Sequence, residues 1–211
     1  MLSHERICKK KGYTIIIGVD EAGRGPLAGP VVVAAVFLKT YRFSCRVDDS
    51  KKLSASQRQK AFGEIVAHSI FGIGGMNEGA VDQLNISKAT NLAVDVAVMR
   101  LLKRCRRPRP TSRNTIILLD GRLRSDLAFA SQEIIGGDAK SLSIAAASIV
   151  AKVYRDRLME IYSKVYPEYG FDRHKGYGTE HHRRTIRKEG LSPIHRHSFC
   201  RSLAPRRRRE G

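Results

Sequence analysis

The sequence predicts an α/β fold in which a mixed five-stranded sheet is flanked by helices. Short β-branched and apolar runs recur along the chain and end at glycines or acidic residues, which is typical of buried strands. Longer segments between them carry apolar residues at helical spacing. The order of these strands and helices favours a sheet that combines a meander with crossover connections.

The first two strands are predicted from β-branched and apolar runs. Thr14 to Val19 form a run that ends at Asp20, and Val31 to Leu38 form the second run. Both read as buried strands because few polar residues interrupt them. The glycine-rich turn between them indicates a hairpin.

A helix, a third strand and a longer helix follow. Ser54 and Gln57 match the capping-box pattern at the start of a helix that runs to about Ala67. Ile70 to Gly74 form the third strand, and Ile86 to about Arg104 carry apolar residues at helical spacing. This long amphipathic helix ends where prolines follow.

Two further strands and a long helix complete the pattern. Thr115 to Leu119 form an apolar strand that ends at Asp120, and Gln132 to Ile135 form a weaker fifth strand. The helix that follows carries Ile144, Ala147, Ala151 and Leu158 on one side.

The charge indicates a polyanionic partner. The chain has 211 residues, with 39 Lys and Arg against 20 Asp and Glu and a net charge of +19. Nucleic acid fits this charge best, and an anionic membrane comes second. No apolar run approaches the roughly 20 residues that span a bilayer, and no signal peptide is recognisable, so we expect a cytoplasmic protein. The cysteines have no CxxC spacing, and we expect them to be reduced.

Acidic residues stand at three strand ends. Asp20 and Glu21 follow the first strand, Asp120 ends the fourth, and Asp138 comes just after the fifth. We expect all four to converge at one sheet edge, where they would repel one another unless cations neutralised them. Oxygen ligands select Mg²⁺ or Mn²⁺, and two such ions can activate a water and stabilise the leaving oxygen of a phosphodiester. The alternative is that these acids form turns or cap helices.

A glycine-rich loop follows the first acidic pair. Its glycines between Gly23 and Gly29 would let backbone N–H groups approach a sugar or phosphate closely. A dinucleotide-binding fingerprint fits badly, because the spacing is GxGxxxG and a strand follows in place of a helix. A tight hairpin turn without a ligand stays open as an alternative.

Several ordered blocks of the sequence resemble the ribonuclease HII family, the prokaryotic type 2 ribonucleases H. The resemblance runs from about Ile15 to Phe199. Its blocks are Gly18-Val19-Asp20-Glu21-Ala22-Gly23-Arg24-Gly25-Pro26, Asp49-Ser50-Lys51-Lys52-Leu53, Leu119-Asp120-Gly121, Gly137-Asp138, Ala145 to Val153, Arg155-Asp156, His174 to Thr179 and His195 to Phe199.

The resemblance implies a ribonuclease H-like fold with a catalytic domain over residues 1–165 and a basic C-terminal helical extension and tail over residues 166–211. It implies an endonuclease that cuts the RNA strand of RNA–DNA hybrids and incises 5′ of single ribonucleotides in duplex DNA, leaving a 3′-hydroxyl and a 5′-phosphate. It also implies Mg²⁺ or Mn²⁺ bound by four catalytic carboxylates, Asp20, Glu21, Asp120 and Asp138. We expect a monomer, and the sequence names no protein partner.

The resemblance further implies three sets of substrate contacts. Gly23, Arg24 and Gly25 would contact the 2′-hydroxyl of the ribonucleotide 5′ to the junction, which distinguishes RNA from DNA. Tyr177 would pack on the deoxyribose at the junction, although an ordinary half-buried tyrosine is the alternative. The third set, a loop that approaches backbone phosphates, contains Lys51 and Lys52.

The basic residues and histidines near the end of the chain leave several interpretations open. Lys152 and Arg155 lie in a matched helix, where solvated charge or a salt bridge to Asp156 is at least as well supported as a substrate contact. For the C-terminal histidines, phosphate contact or surface exposure is favoured over a zinc site, because the surrounding arginines repel a cation. The run Arg206 to Arg209 would strengthen binding to phosphate without specificity.

A basic binding module without chemistry is the rival function. It accounts for the charge of +19, but it does not account for acids at three strand ends. Metal-dependent cutting of a duplex that carries one ribonucleotide distinguishes the two hypotheses.

Overall fold

The computed structural model of the chain describes residues 1–203, and the arginine run Arg206 to Arg209 lies outside them. Residues 1–203 contain five strands, at Ile15–Ala22 (β1), Val31–Leu38 (β2), Ser69–Met76 (β3), Thr115–Asp120 (β4) and Ala130–Ile134 (β5). The α-helices span Ser3–Lys10 (α1), Ala55–Ala67 (α2), Glu78–Leu84 (α3), Ile86–Arg104 (α4), Leu142–Val165 (α5), Phe171–His174 (α6) and Glu180–Glu189 (α7).

The strands form one mixed sheet in the order β3-β2-β1-β4-β5. β1 pairs antiparallel with β2, and β2 pairs antiparallel with β3, which confirms the predicted hairpin and meander. β1 also pairs with β4 in parallel, and β4 pairs with β5 in parallel. β1 and β4 are buried along most of their lengths, and their β-branched and leucine side chains occupy the middle of the sheet.

One long helix covers each face of the sheet. The alanine-rich side of α5 packs with Val36 and Ile65 on one face, and α4 packs with Val19 and Ile117 on the other. α5 approaches β1 closely at Gly18, where an added Cβ would collide with the backbone of Ser143. The first turns of α5 therefore lie directly beside the end of β1 that carries the acidic pair.

Two of the observed helices were absent from the sequence-based prediction. α1 is anchored by the buried Glu5, whose Oε1 accepts hydrogen bonds from Ser141 Oγ at 2.6 Å and Ser143 N–H at 2.9 Å. α3 begins at a cap in which Asn77 Oδ1 accepts the N–H of Ala80. The predicted capping box of Ser54 and α2 is confirmed.

The chain beyond α5 folds back on the glycine-rich loop. A separate apolar cluster joins this segment to α5 and to the loop, and it contains Ala28, Met159, Tyr169, Phe171, Ile186, Ile194 and Cys200. α5 ends at Val165, where the proposed C-terminal extension would begin, and the division into two parts stays a prediction. Each of the four cysteines is free, and none of the helices within residues 1–203 has the length and apolarity to cross a membrane.

Candidate active site

Three carboxylates meet where β1 and β4 end. These strands run side by side in parallel, with Val19 opposite Leu119, so the next residues along each strand lie at the same sheet edge. One carboxylate oxygen from each of Asp20, Glu21 and Asp120 lies within 4.8 Å of the others. The predicted convergence therefore holds for three of the four acids.

The crowding of these acids leaves their negative charge poorly compensated. Burial raises the pKa of Asp20 well above its ordinary value, and the charges of Glu21 and Asp120 raise it further. Burial also raises the pKa of Glu21. Asp20 Oδ1 accepts the N–H of Glu21 at 2.7 Å, but Glu21 Oε2 is buried without a hydrogen-bond partner. An orphaned carboxylate oxygen in an oxygen-only cluster fits a hard divalent cation.

Asp138 lies beside this group without joining it. It is buried in a short 3-10 turn, and burial followed by the charge of Asp120 raises its pKa. Asp120 Oδ1 accepts the N–H of Gly137 at 2.6 Å, which connects the turn to the end of β4. The role of Asp138 as a fourth metal ligand stays a prediction.

Lys51 faces the carboxylates, whereas Lys52 does not. Lys51 Nζ lies 3.7 Å from Asp138 Oδ2, and Lys52 Nζ lies 3.6 Å from Asp48 Oδ1. Partial burial would lower the pKa of Lys51, but the negative charges of Asp49 and Asp138 outweigh it and raise that pKa. Of the two lysines predicted to approach phosphate, the structure places Lys51 in the cleft.

The cleft beside the carboxylates has a volume of about 200 Å³. Its lining combines the acidic end of β1, the glycine-rich loop and part of α5, through Glu21, Ala22, Gly23, Arg24, Gly25, Ser50, Lys51, Ser148, Lys152, Arg155 and Tyr177. Gly23 has a φ of +93°, a backbone conformation that L side chains rarely adopt, and Gly25 opens toward Tyr177. The predicted loop residues and Tyr177 therefore border one cavity.

Arg196 stabilises the glycine-rich loop by hydrogen bonds to its backbone. Its side chain is fully buried, and it donates hydrogen bonds to the backbone carbonyls of Gly23, Arg24, Pro26 and Gly29 at 2.7 to 3.0 Å. Burial lowers the pKa of its guanidinium to about 10. The loop contains two prolines, which have no N–H group to donate to a neighbouring carbonyl. The planar guanidinium of Arg196 supplies hydrogen-bond donors to the loop carbonyls instead.

Arg155 holds the same loop from the side of α5. It donates to the carbonyls of Ala28, Pro30 and Lys175 at 2.9 to 3.1 Å, and its side chain is 1% exposed. Of the interpretations left open for Arg155, the solvated charge is excluded by its burial, because the guanidinium is used by these loop carbonyls. Lys152 does pair with Asp156, at 2.7 Å.

Tyr177 is placed by a chain of buried histidines. Its ring is 46% exposed and lies 6.0 Å from the Arg155 guanidinium. Its backbone carbonyl is 2.9 Å from His182 Nδ1, whose other ring nitrogen is 3.0 Å from His195 Nε2. The N–H of Ser192 donates to His195 Nδ1 at 2.9 Å. These partners fix a single direction of donation, from Ser192 through His195 and His182 to Tyr177, in which both imidazoles are neutral.

This histidine chain corrects the expectation of surface exposure or phosphate contact for His182 and His195, whereas His181 and His197 are exposed as expected. His182 and His195 are buried, and burial lowers the pKa of each to about 4. Among residues 1–203, the carboxylate trio is the one group whose ligand atoms are close enough together to hold a metal. Sequence reasoning missed Arg196, His182 and His195 as supports of the site because they stand among many other arginines and histidines, and no local pattern distinguishes them. The available signal was the loop rich in proline and glycine, because its backbone carbonyls need hydrogen-bond donors from elsewhere in the chain.

Comparisons with known proteins identify the family. The ribonuclease HII family model matches residues 17–202. Ribonuclease HII of Acetivibrio thermocellus is 47% identical over 96% of this chain and 76% of its own length, and that of Ruminiclostridium cellulolyticum is 49% identical over the same shares.

Solved structures show the same fold at low identity. Ribonuclease H2 from Pyrococcus horikoshii matches with a TM-score of 0.68 and 23% identity, over 90% of this chain and 97% of that one. Bst ribonuclease HIII, solved in complex with Mn²⁺, matches with a TM-score of 0.64 and 20% identity, over 87% of this chain and 65% of that one. The ribonuclease H-like fold is thereby confirmed, and the extent and identity of the sequence matches show that the chain belongs to the ribonuclease HII family and is a ribonuclease.

Proposed function

We propose that this ribonuclease hydrolyses the RNA strand of RNA–DNA hybrids and incises duplex DNA 5′ of a single embedded ribonucleotide, leaving a 3′-hydroxyl and a 5′-phosphate. The observation that carries the proposal is the shared cleft. Carboxylates able to hold a cation lie beside a braced backbone loop and an exposed tyrosine ring. Chemistry and sugar recognition can thus act on one nucleotide.

The proposed cofactors are two divalent ions, Mg²⁺ or Mn²⁺, bound by Asp20, Glu21, Asp120 and Asp138. The unpartnered Glu21 Oε2 and the raised pKa values of Asp20 and Asp138 support this assignment. Bound divalent ions at such a site lower the pKa of a water and offset charge on the leaving oxygen. The Asp120 carboxylate is held in place by the Gly137 N–H, so its orientation is set before any ligand arrives.

The rest of the cleft supplies positioning. In the proposal, backbone groups of Gly23 to Gly25 contact the 2′-hydroxyl, because a rigid loop can approach a sugar closely where side chains are absent. Tyr177 offers its ring to the adjacent deoxyribose. Lys51 neutralises a nearby phosphate, and Arg24 Nη1 lies 3.6 Å from Glu21 Oε1, within reach of both the acids and the substrate.

The net charge of +19 supports duplex nucleic acid as the partner. The four free cysteines are compatible with a reducing compartment, and we propose that the enzyme acts in the cytoplasm as a monomer.

The decisive experiment uses duplex DNA with one ribonucleotide at a known position. We expect incision on its 5′ side with Mg²⁺ or Mn²⁺, no incision with chelator, and no cutting of the matched all-DNA duplex. Mapping of the product ends checks the predicted 3′-hydroxyl and 5′-phosphate. Metal-independent cutting, or equal cutting of the all-DNA duplex, would contradict the proposal.

Replacing one carboxylate separates chemistry from binding. Asp120→Asn should lower the cleavage rate by about a thousandfold or more, since metal ions stabilise the transition state by several kcal/mol. Binding of the duplex should be retained, because the loss of one anion reduces repulsion toward phosphate. Single-turnover cleavage and fluorescence anisotropy on the same duplex measure the two effects. Equal losses of both would place Asp120 in binding alone.

A further inference from the structure

A concentration of positive charge lies where the central strands β1 and β4 begin, at the end of the sheet opposite the carboxylates. We call it the basic edge and define it as Lys10, Lys11, Lys103, Arg106, Arg107, Arg109 and Arg113. All seven side chains belong to exposed residues. The sequence contains no acidic residue between Asp95 and Asp120, so the loop that joins α4 to β4 carries unbalanced charge.

The loop of the basic edge has internal hydrogen bonds that support its backbone. Asn114 Nδ2 donates to the carbonyl of Arg109 at 3.0 Å, and the N–H of Thr111 donates to Asn114 Oδ1 at 2.8 Å. The carbonyl of Asn114 accepts the N–H groups of Thr14 and Ile15 at 3.0 and 2.9 Å. These last contacts bring the segment after Lys10 and Lys11 beside the arginine loop.

The charges of the basic edge are not used within the described fold. Within residues 1–203, none of its seven cations lies within 4.0 Å of a carboxylate, whereas Lys152, Lys175 and Arg184 elsewhere each form such a pair. Neighbouring like charges repel, and a polyanion relieves that repulsion. The basic edge thus has the electrostatic character of a phosphate-binding surface.

The basic edge is separated from the cleft by the length of the central strands. β1 and β4 begin beside it and end at the carboxylates. The six residues of β4 extend roughly 20 Å at the usual rise per residue. A single phosphate in the cleft therefore cannot also contact this edge, so the basic edge is available to a different stretch of nucleic acid.

We propose that the basic edge is a second, non-catalytic binding surface for the phosphate backbone of duplex nucleic acid. It holds a segment separate from the one in the cleft and allows one molecule to contact two segments at once. Arginine contacts to phosphate carry no sequence information, so this binding is independent of sequence and sensitive to salt. The proposal goes beyond ribonucleotide incision and does not depend on it.

The test compares two triple variants with equal loss of charge. The loop variant combines Arg106→Gln, Arg107→Gln and Arg109→Gln. The scattered control combines Lys60→Gln, Lys164→Gln and Arg187→Gln, at exposed positions on α2, α5 and α7.

The affinity of each variant for an all-DNA duplex is measured at several salt concentrations, so the readout requires no cleavage. For the loop variant we expect the salt slope to fall by roughly 2 to 3 and affinity near 0.1 M salt to fall tenfold or more. The scattered control should change the slope by less than about 1.

A second measurement counts the duplexes bound. Sedimentation with two differently labelled duplexes should show one wild-type enzyme carrying both, and the loop variant carrying one. Single-turnover cleavage at saturating enzyme should be equal in both proteins. Arg113→Gln, which lies outside the Arg106 to Arg109 segment, provides a milder variant with an expected slope change of about 0.9 should the triple variant unfold.

Three results would overturn the proposal. The first is an equal salt slope in the loop variant and the scattered control. The second is a loss of single-turnover cleavage in the folded loop variant, which would assign the arginines to the reaction. The third is binding to phosphatidylserine vesicles that the loop variant loses while its DNA salt slope is unchanged, since this would assign the basic edge to a membrane surface.

Discussion

The carboxylate trio, through Glu21, meets the glycine-rich loop at one cleft, but the polar groups of the two regions are satisfied in opposite ways. Burial and mutual repulsion raise the pKa of Asp20, and Glu21 Oε2 has no hydrogen-bond partner. The loop carbonyls, in contrast, are bound by the buried guanidinium groups of Arg155 and Arg196. The first region is prepared for a cation that the chain does not supply, and the second is complete without a ligand.

This difference matches a division between two proposed tasks, sugar recognition by the loop and cation binding by the carboxylates. In the proposed function, a preorganised loop loses little conformational freedom on binding a sugar, so its hydrogen bonds would contribute to discrimination. An acidic cluster with unmet charge costs stability in the free protein and regains it when cations bind. Substitutions in the two regions should therefore change stability with opposite signs.

The largest expected effect is at Arg196. Arg196→Met leaves several buried carbonyls of the loop without a donor, and we expect the free energy of unfolding to fall by roughly 2 to 5 kcal/mol. Arg201→Met, at an exposed position in the same segment, should change it by less than about 0.5 kcal/mol. Urea unfolding measures both. An Arg196→Met variant as stable as the parent would show that the loop does not need this guanidinium.

Arg196→Lys tests whether the support matters for discrimination. Lysine keeps the charge but lacks the planar set of donors that reaches several carbonyls together. We expect kcat/KM on the single-ribonucleotide duplex to fall about tenfold, with a smaller loss in duplex binding. An unchanged kcat/KM in this variant would limit Arg196 to a role in stability.

A second effect concerns pH and the histidine chain. The pKa of His182 is about 4 in the folded protein, against an ordinary value of 6.5, because the ring is buried. The unfolded chain takes up protons first as pH falls, so this contribution to stability is complete above pH 6.5 and is lost toward pH 4. Between pH 6.5 and pH 4, we expect this contribution to the free energy of unfolding to fall by on the order of 3 kcal/mol.

The pH effect is isolated by substitution, because the raised carboxylate pKa values act in the opposite direction. His182→Gln should weaken the dependence of unfolding free energy on pH between 6.5 and 4. His68→Gln, at an exposed histidine, provides the matched control. Parallel pH profiles for His182→Gln and the wild type would show that the buried ring does not resist protonation.

The smallest effect is a gain in stability at the carboxylates. With chelator at neutral pH, Asp20→Asn removes one buried negative charge and should raise the free energy of unfolding by about 1 kcal/mol, or the melting temperature by roughly 2 to 4 °C. The gain should shrink as pH falls, because the raised pKa lets the wild-type carboxyl become protonated. Asp126→Asn, at an exposed position, serves as the control.

Magnesium should reverse this order of stability. The wild type gains stability by binding the cation, whereas the neutral amide introduced by Asp20→Asn is a poorer ligand than a carboxylate. Thermal unfolding with and without Mg²⁺ measures the reversal. A destabilised Asp20→Asn protein in chelator would mean that the acidic cluster is not strained in the absence of metal.

The sequence predicted those features that depend on local pattern. β1, β2 and β4 are continuous apolar runs, and the two long helices carry apolar residues at helical spacing. Acids at the ends of the adjacent parallel strands β1 and β4 share one end of the sheet. Helix α1 was missed because it has little apolar pattern of its own. It depends on Glu5, whose partners Ser141 and Ser143 lie far along the chain.

The supports of the loop could not be predicted from local pattern. Arg196 stands among many other basic residues, and nothing nearby in sequence distinguishes it from an exposed arginine. Its role follows from contacts with distant carbonyls, as in the hydrogen bond to Gly29 at a separation of 167 residues. Such long-range pairing is a property of the fold.

That long-range pairing also orders events during synthesis. The hydrogen bond from Arg196 to the Gly23 carbonyl joins residues 173 positions apart. A ribosome must therefore release nearly all of the described chain before the loop near its start can settle. Until then the loop lacks the buried guanidinium that binds its carbonyls, so a nascent or prematurely terminated chain contains Asp20, Glu21 and Asp120 without this support.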